Sequence, residues 1–119
     1  EIEKLEMPAV TITPNGIAGH VTVLDVQYGN VWTNIDTEAL KKGGIRVGDS
    51  VTVRLYRNDS IFYQKKLLLG RTFADVAPGE EIAYLNSLLN FSLAVREGNF
   101  ASRHSIGTGK AWRTVVAKP

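Results

Sequence analysis

The sequence contains no cysteine, which excludes disulfide staples, thiolate metal sites and cysteine nucleophiles. Histidine is almost as scarce. His20 and His104 are the two in the chain, far apart and outside the HExxH spacing that sets two imidazoles on one helix face, so a histidine-built metal site finds no support. No apolar run approaches the ~20 residues that a membrane-crossing helix needs, and no membrane partner is expected. An excess of one charge is missing too. The 14 basic side chains nearly cancel the 12 acidic ones to leave +2, and they are spread along the chain rather than gathered into the basic stripe of a nucleic-acid-binding barrel. What is present is an ordinary globular composition, 44% apolar and 22% charged over 119 residues, which suits one domain with its own core.

Turn residues divide the chain into short extended pieces. Val10–Ile12 precedes a Pro14-Asn15-Gly16 turn, and His20–Gln27 alternates, with Val21 and Val23 assigned to one face and Thr22, Leu24 and Val26 to the other. Val31–Ile35 is extended. Asp36 or Thr37 then caps a short helix through Leu40–Lys42 that Gly43-Gly44 ends. Ser50–Tyr56 alternates cleanly and turns at Asn58-Asp59 into Ile61–Leu69. A short extended piece at Thr72–Val76, the turn Ala77–Glu80, strands at Glu81–Asn86 and Phe91–Glu97, a helical turn near Ala101–Ser105 and a last strand Ala111–Ala117 complete the pattern. Such a series points to an all-β fold, barrel or sandwich; closure favours an antiparallel barrel of about seven strands with one or two short helical turns. Residues 1–18 read as a linker or lead-in segment and 19–119 as the barrel. Because the chain opens on Glu1 rather than Met, it is expected to start part-way through a longer product or after processing.

Most polar clusters have a bland reading. Gly107-Thr108-Gly109-Lys110 lacks the Ser or Thr that follows the lysine of a phosphate loop, so it reads as a turn into the last strand. Glu80-Glu81 reads as turn chemistry, and Lys65-Lys66 with Arg57 as a solvated strand face. The richest stretch is Asp25–Asn34, where a carboxylate, amides and two aromatics surround Gly29. Glycine permits a positive φ or close backbone approach, an aromatic ring offers a face to a purine, and an Asn amide can pair with adenine N6 and N7 together. A hairpin turn with core aromatics fits the same residues.

That stretch also carries a resemblance. Asp25-x-x-Tyr28-Gly29-Asn30-Val31-Trp32-Thr33-Asn34-Ile35 is similar to the signature of the SAM hydroxide adenosyltransferases and of their halogenating relatives, the fluorinases and chlorinases. Thr72-Phe73-x-x-Val76, Tyr84-Leu85-Asn86-Ser87 and Ala94-x-x-x-Gly98-Asn99-Phe100-Ala101 follow in the family's order. The resemblance implies the C-terminal barrel of a two-domain enzyme whose N-terminal α/β domain lies outside this chain. It implies homotrimers with each site between the N-terminal domain of one subunit and the barrel of its neighbour, and S-adenosyl-methionine as substrate, with no cofactor. It further implies that Asp25 binds the methionine amino group, Ser87 its carboxylate, and Asn30 the adenine. Tyr28 and Phe73 would line the purine, and backbone groups around Arg96 and Glu97 would read its edge. Leu88 stands where fluorinases carry arginine, so backbone must supply that contact, and the hydrolytic rather than the halogenating reaction is expected. Arg96 stands where asparagine is common. No catalytic residue is expected within the barrel, the isolated chain is expected to be inactive, and the cytoplasm is the expected compartment.

Overall fold

The computed structural model describes residues 9–25, 28–71 and 73–118, with the Phe73 side chain left aside. The strands are β1 (Thr11–Thr13), β2 (Gly16–Leu24), β3 (Val31–Asp36), β4 (Ser50–Arg57), β5 (Ser60–Leu68), β6 (Glu81–Leu85), β7 (Asn90–Val95) and β8 (Trp112–Ala117). Two short helices, α1 (Thr37–Lys42) and α2 (Phe100–His104), and one 3-10 turn (Phe73–Asp75) lie between them. Every strand pairing is antiparallel, in the order β5-β4-β8-β2-β3-β7-β6, with β1 added to β2. Among the described residues a single parallel bridge, Leu69 to Ala83, brings the two ends of this path together, so seven strands form a nearly closed barrel.

Alternation builds the interior. In β4, Val51, Val53 and Leu55 are fully buried while Thr52, Arg54 and Tyr56 between them are partly exposed. Val31 and Ile35 from β3, Phe91 and Leu93 from β7 and Val116 from β8 complete the same core at 0% exposure, each large apolar side chain contributing roughly 1.5–3 kcal/mol. The helix α1 starts where its cap was expected: Asp36 Oδ1 accepts from the Ala39 amide at 2.9 Å.

Two local expectations are corrected. Val21 is fully buried but Val23 is 44% exposed, because the β2–β3 register shifts between them: Val21 faces Thr33 while Val23 faces Trp32. A bulge of this kind flips the side chains beyond it to the other face. β2 ends at Leu24, and Val26 and Gln27 lie outside the described residues. The segment expected to extend over Thr72–Val76 instead makes the 3-10 turn, held by Asp75 Oδ2 accepting from the Arg71 amide at 2.8 Å.

Candidate functional site

Register places Trp32, Ser92 and Tyr84 together on the outer face of β3, β7 and β6. Val31, Leu93 and Ala83 lie in one row and point inward; the next row is Trp32, Ser92 and Tyr84. Directly opposed residues share a face, so these three point outward together, with Val23 beside them. Asn30, two before Trp32, shares that face and is only 6% exposed. Ser92 is fully buried despite facing away from the core. Asn86 Nδ2 donates to its Oγ at 2.8 Å. The segment after β5 covers the neighbouring row of Ile82 and Ala94, where Gly70 packs so closely on Ile82 that a Cβ would come within 2.6 Å of its Cδ1. The result is a sheltered polar seam on the barrel's outer wall.

The Tyr84 hydroxyl is the centre of this seam. Burial pushes its pKa above the ordinary tyrosine value, and the carboxylate of Asp25 acts in the same direction, while hydrogen-bonding groups of Trp32, Asn30 and Ser92 beside it pull the other way. The phenol therefore stays protonated, a donor as well as an acceptor. The Trp32 Nε1–H lies alongside but makes no well-formed hydrogen bond, which leaves a buried donor unmatched.

The Asp25–Asn30 loop closes on itself. The Asp25 amide donates to the Asn30 carbonyl at 2.9 Å and the Gly29 amide to the Asp25 carbonyl at 2.6 Å. Asp25 Oδ1 also accepts from the Tyr28 amide at 3.3 Å. Gly29 has φ of +71° and sits so close to the Asn99 side chain that any Cβ would overlap it, so glycine is required here. Tyr28 is 58% exposed and presents its ring to solvent.

The other expected site residues lie apart from this loop within the chain. By register, Asp25 is two positions to one side of the Tyr84–Ser92–Trp32–Val23 row and Ser87 three positions to the other. Ser87 is exposed in the β6–β7 turn, and Leu88 is 68% exposed. The Leu88 amide donates to Asn86 Oδ1 at 2.8 Å, so that amide is engaged within the turn. Arg96 is engaged on all sides. Its amide donates to the Glu80 carbonyl at 2.9 Å, its carbonyl accepts from Gly79 at 2.7 Å, and its Nη1 donates to the Val76 carbonyl at 2.7 Å. Glu97 lies beyond β7 with φ of +59°. The purine-facing role expected of the Phe73 side chain lies outside the described residues.

A second polar cluster was not anticipated. Glu81, read from sequence as a turn carboxylate, instead opens β6 with its side chain 4% exposed. Its Oε1 accepts from the Tyr63 hydroxyl at 2.7 Å and lies 3.6 Å from Lys65 Nζ. Its Oε2 pairs with Arg103 Nη1 at 3.2 Å and His104 Nε2 at 2.6 Å. Burial pushes the Glu81 carboxyl up, but the hydrogen bonds from Tyr63, His104 and Arg103 outweigh it and hold the pKa at about 2. Lys65 is therefore part of an ion cluster, not only a solvated face. Tyr84 stands in the Tyr84-Leu85-Asn86-Ser87 motif, but only strand pairing through Ser92 places it on the face of Trp32.

Fold and seam together define an antiparallel β-barrel domain with a sheltered polar surface on its outer wall. The chain belongs to the SAM hydroxide adenosyltransferase C-terminal domain family, which it matches over residues 19–113. It is 32% identical over 115 residues to a fluorinase from Actinopolyspora mzabensis, covering 95% of this chain and 37% of that protein. A fluorinase from Nocardia brasiliensis is 32% identical over 99 residues, covering 82% of this chain and 32% of the relative. The chain thus spans about a third of the length of these relatives. Among solved structures, an uncharacterized conserved protein from Thermotoga maritima superposes with a TM-score of 0.79 at 26% identity, over 98% of this chain and 41% of that one. No helix among the described residues is long and apolar enough to cross a membrane.

Proposed function

We propose that this chain is the adenosine-binding part of an enzyme that hydrolyses S-adenosyl-methionine to adenosine and methionine. The observation that carries the reading is the juxtaposition of Asn30, Trp32, Ser92 and Tyr84, with the Asp25 carboxylate beside them, in a chain of this family. Asn30 supplies the paired donor and acceptor that adenine's N6 and N7 require. Asp25 supplies the acceptor that an ammonium requires, and the Ser87 hydroxyl a donor for a carboxylate. Glu97 offers backbone to the purine edge, and Tyr28 offers an exposed ring.

In the reaction, an oxygen of water forms a bond to the 5′ carbon as the C5′–S bond breaks. The sulfonium sulfur takes the electron pair and one proton leaves from the water. The sulfonium charge is neutralised as methionine departs, so the barrel's task is to hold both halves of the substrate in line with the nucleophile. Groups that position the nucleophile belong, on this reading, to an N-terminal domain, with the complete site between subunits of a trimer.

Leu88 favours water over halide, since no arginine side chain stands beside Ser87. The test is to incubate the full-length gene product with S-adenosyl-methionine, with and without fluoride or chloride. Adenosine and methionine formed without halide support the hydrolase. A 5′-halogenated nucleoside formed only with halide supports a halogenase, and no turnover under either condition overturns the enzyme reading.

A further inference from the structure

The loop that carries Asp25 and Asn30 is fastened to the barrel through α2. The Ala101 amide donates to the Gly29 carbonyl at 2.9 Å, and the Asn99 side chain packs against Gly29 while its Oδ1 caps the helix by accepting from the Ser102 amide at 2.8 Å. With five residues, α2 is far too short to persist by its own backbone hydrogen bonds. Something else must hold it.

That support comes from the place where the barrel is not closed by backbone. β5 and β6 meet at the Leu69–Ala83 bridge. Toward the α2 end, Tyr63 and Lys65 of β5 and Glu81 of β6 are joined instead by side chains. α2 fills this seam. Phe100, fully buried, meets Tyr63 edge-on at 5.0 Å between ring centroids, and His104 meets Tyr63 edge-on at 4.6 Å and Phe100 at a tilt at 4.8 Å. Arg103 and His104 then reach the same carboxylate oxygen of Glu81, and Arg103 Nη1 also donates to the Gly79 carbonyl at 3.2 Å. One buried carboxylate therefore joins β5, β6 and α2, and α2 in turn holds Gly29.

We infer that Glu81 is a positioning residue for the ligand loop: its carboxylate clamps α2 in the open seam of the barrel, and α2 sets the placement of Asp25 and Asn30. The inference rests on the proposed binding role of that loop, but the mechanical link from Glu81 to Gly29 is measurable without any ligand.

The experiment compares wild type with Glu81→Gln, which keeps an acceptor for Tyr63 but removes the charge, and with Arg103→Gln, a milder change at a 43% exposed side chain that guards against loss of folding. Val51→Ala, in the core of β4, serves as a control for general destabilisation. Hydrogen exchange by NMR reads the Ala101 amide against amides of the β4–β8 ladder, and calorimetry reads adenosine binding. Loss of a hydrogen-bonded charge is expected to speed Ala101 exchange at least about tenfold while the ladder changes far less. Adenosine affinity is expected to fall in Glu81→Gln more than in Val51→Ala at equal loss of Tm. Unchanged Ala101 protection in both seam variants, or an equal loss of affinity in Val51→Ala, overturns the inference. If wild type binds no adenosine, the functional reading fails, and the exchange data alone still decide whether Glu81 holds the loop.

Discussion

The Ala101 amide donates to the Gly29 carbonyl at 2.9 Å, and that one bond ties a five-residue helix to the loop bearing the chain's most specific motif. Gly29 has no room for a side chain, and its φ of +71° disfavours one. Gly29→Ala is therefore expected to cost roughly 1–3 kcal/mol of stability, from the left-handed backbone and the overlap with Asn99. Urea unfolding measures it, and a midpoint equal to wild type would show that the loop readjusts freely.

Asn30 is expected to read adenine. Asn30→Ala should cost roughly 1–3 kcal/mol of adenosine affinity and erase the preference for adenosine over inosine, which presents an oxygen where adenosine has its amino group. Calorimetry with both nucleosides checks this. Retained discrimination would assign adenine recognition to other residues.

Acid stability should depend on Glu81. Its folded-state pKa of about 2 lies below the ordinary value of 4.5. The unfolded chain therefore binds the proton first as pH falls, so the carboxylate's contribution is fully present above about pH 4.5 and is lost as pH drops toward 2. The amount at stake is on the order of 3 kcal/mol. Unfolding free energies of wild type and Glu81→Gln, measured from pH 6 to pH 2, should converge at the acid end; parallel curves would contradict the assignment.

Leu88 tests the reading of the β6–β7 turn. It is 68% exposed, so Leu88→Arg should alter stability by no more than about 0.5 kcal/mol. The new guanidinium should improve S-adenosyl-methionine binding by up to about fivefold while leaving adenosine binding unchanged. Equal effects on both ligands would place the methionine carboxylate elsewhere.

Much of this molecule is legible in its residues, and the division is physical. Ser50–Tyr56, Asn58-Asp59 and the Asp36 cap are set by neighbours in sequence, and each is found near where alternation, turn residues or capping chemistry put it. The bulge between Val21 and Val23 is not, because it depends on how β2 registers against β3. The same holds for the seam. Glu81 gathers Tyr63, Lys65, Arg103 and His104 from about 20 residues away on either side, and no local pattern distinguishes such a carboxylate from one in a turn. The motif around Asp25–Asn34 was visible because its residues are contiguous. Tyr84 and Ser92 join them only through strand pairing, which no local sequence pattern shows.

On the proposed function, the outer-wall seam binds adenosine. The most direct measurement is a ¹⁵N NMR titration of this chain with adenosine, following the two indole N–H signals and the backbone amides. Movement of the Trp32 indole and of amides at Asp25, Asn30 and Tyr84 is expected, with the Trp112 indole still. Shifts confined to the apolar groove between Thr37 and Val47, or no shifts at millimolar adenosine, would contradict it.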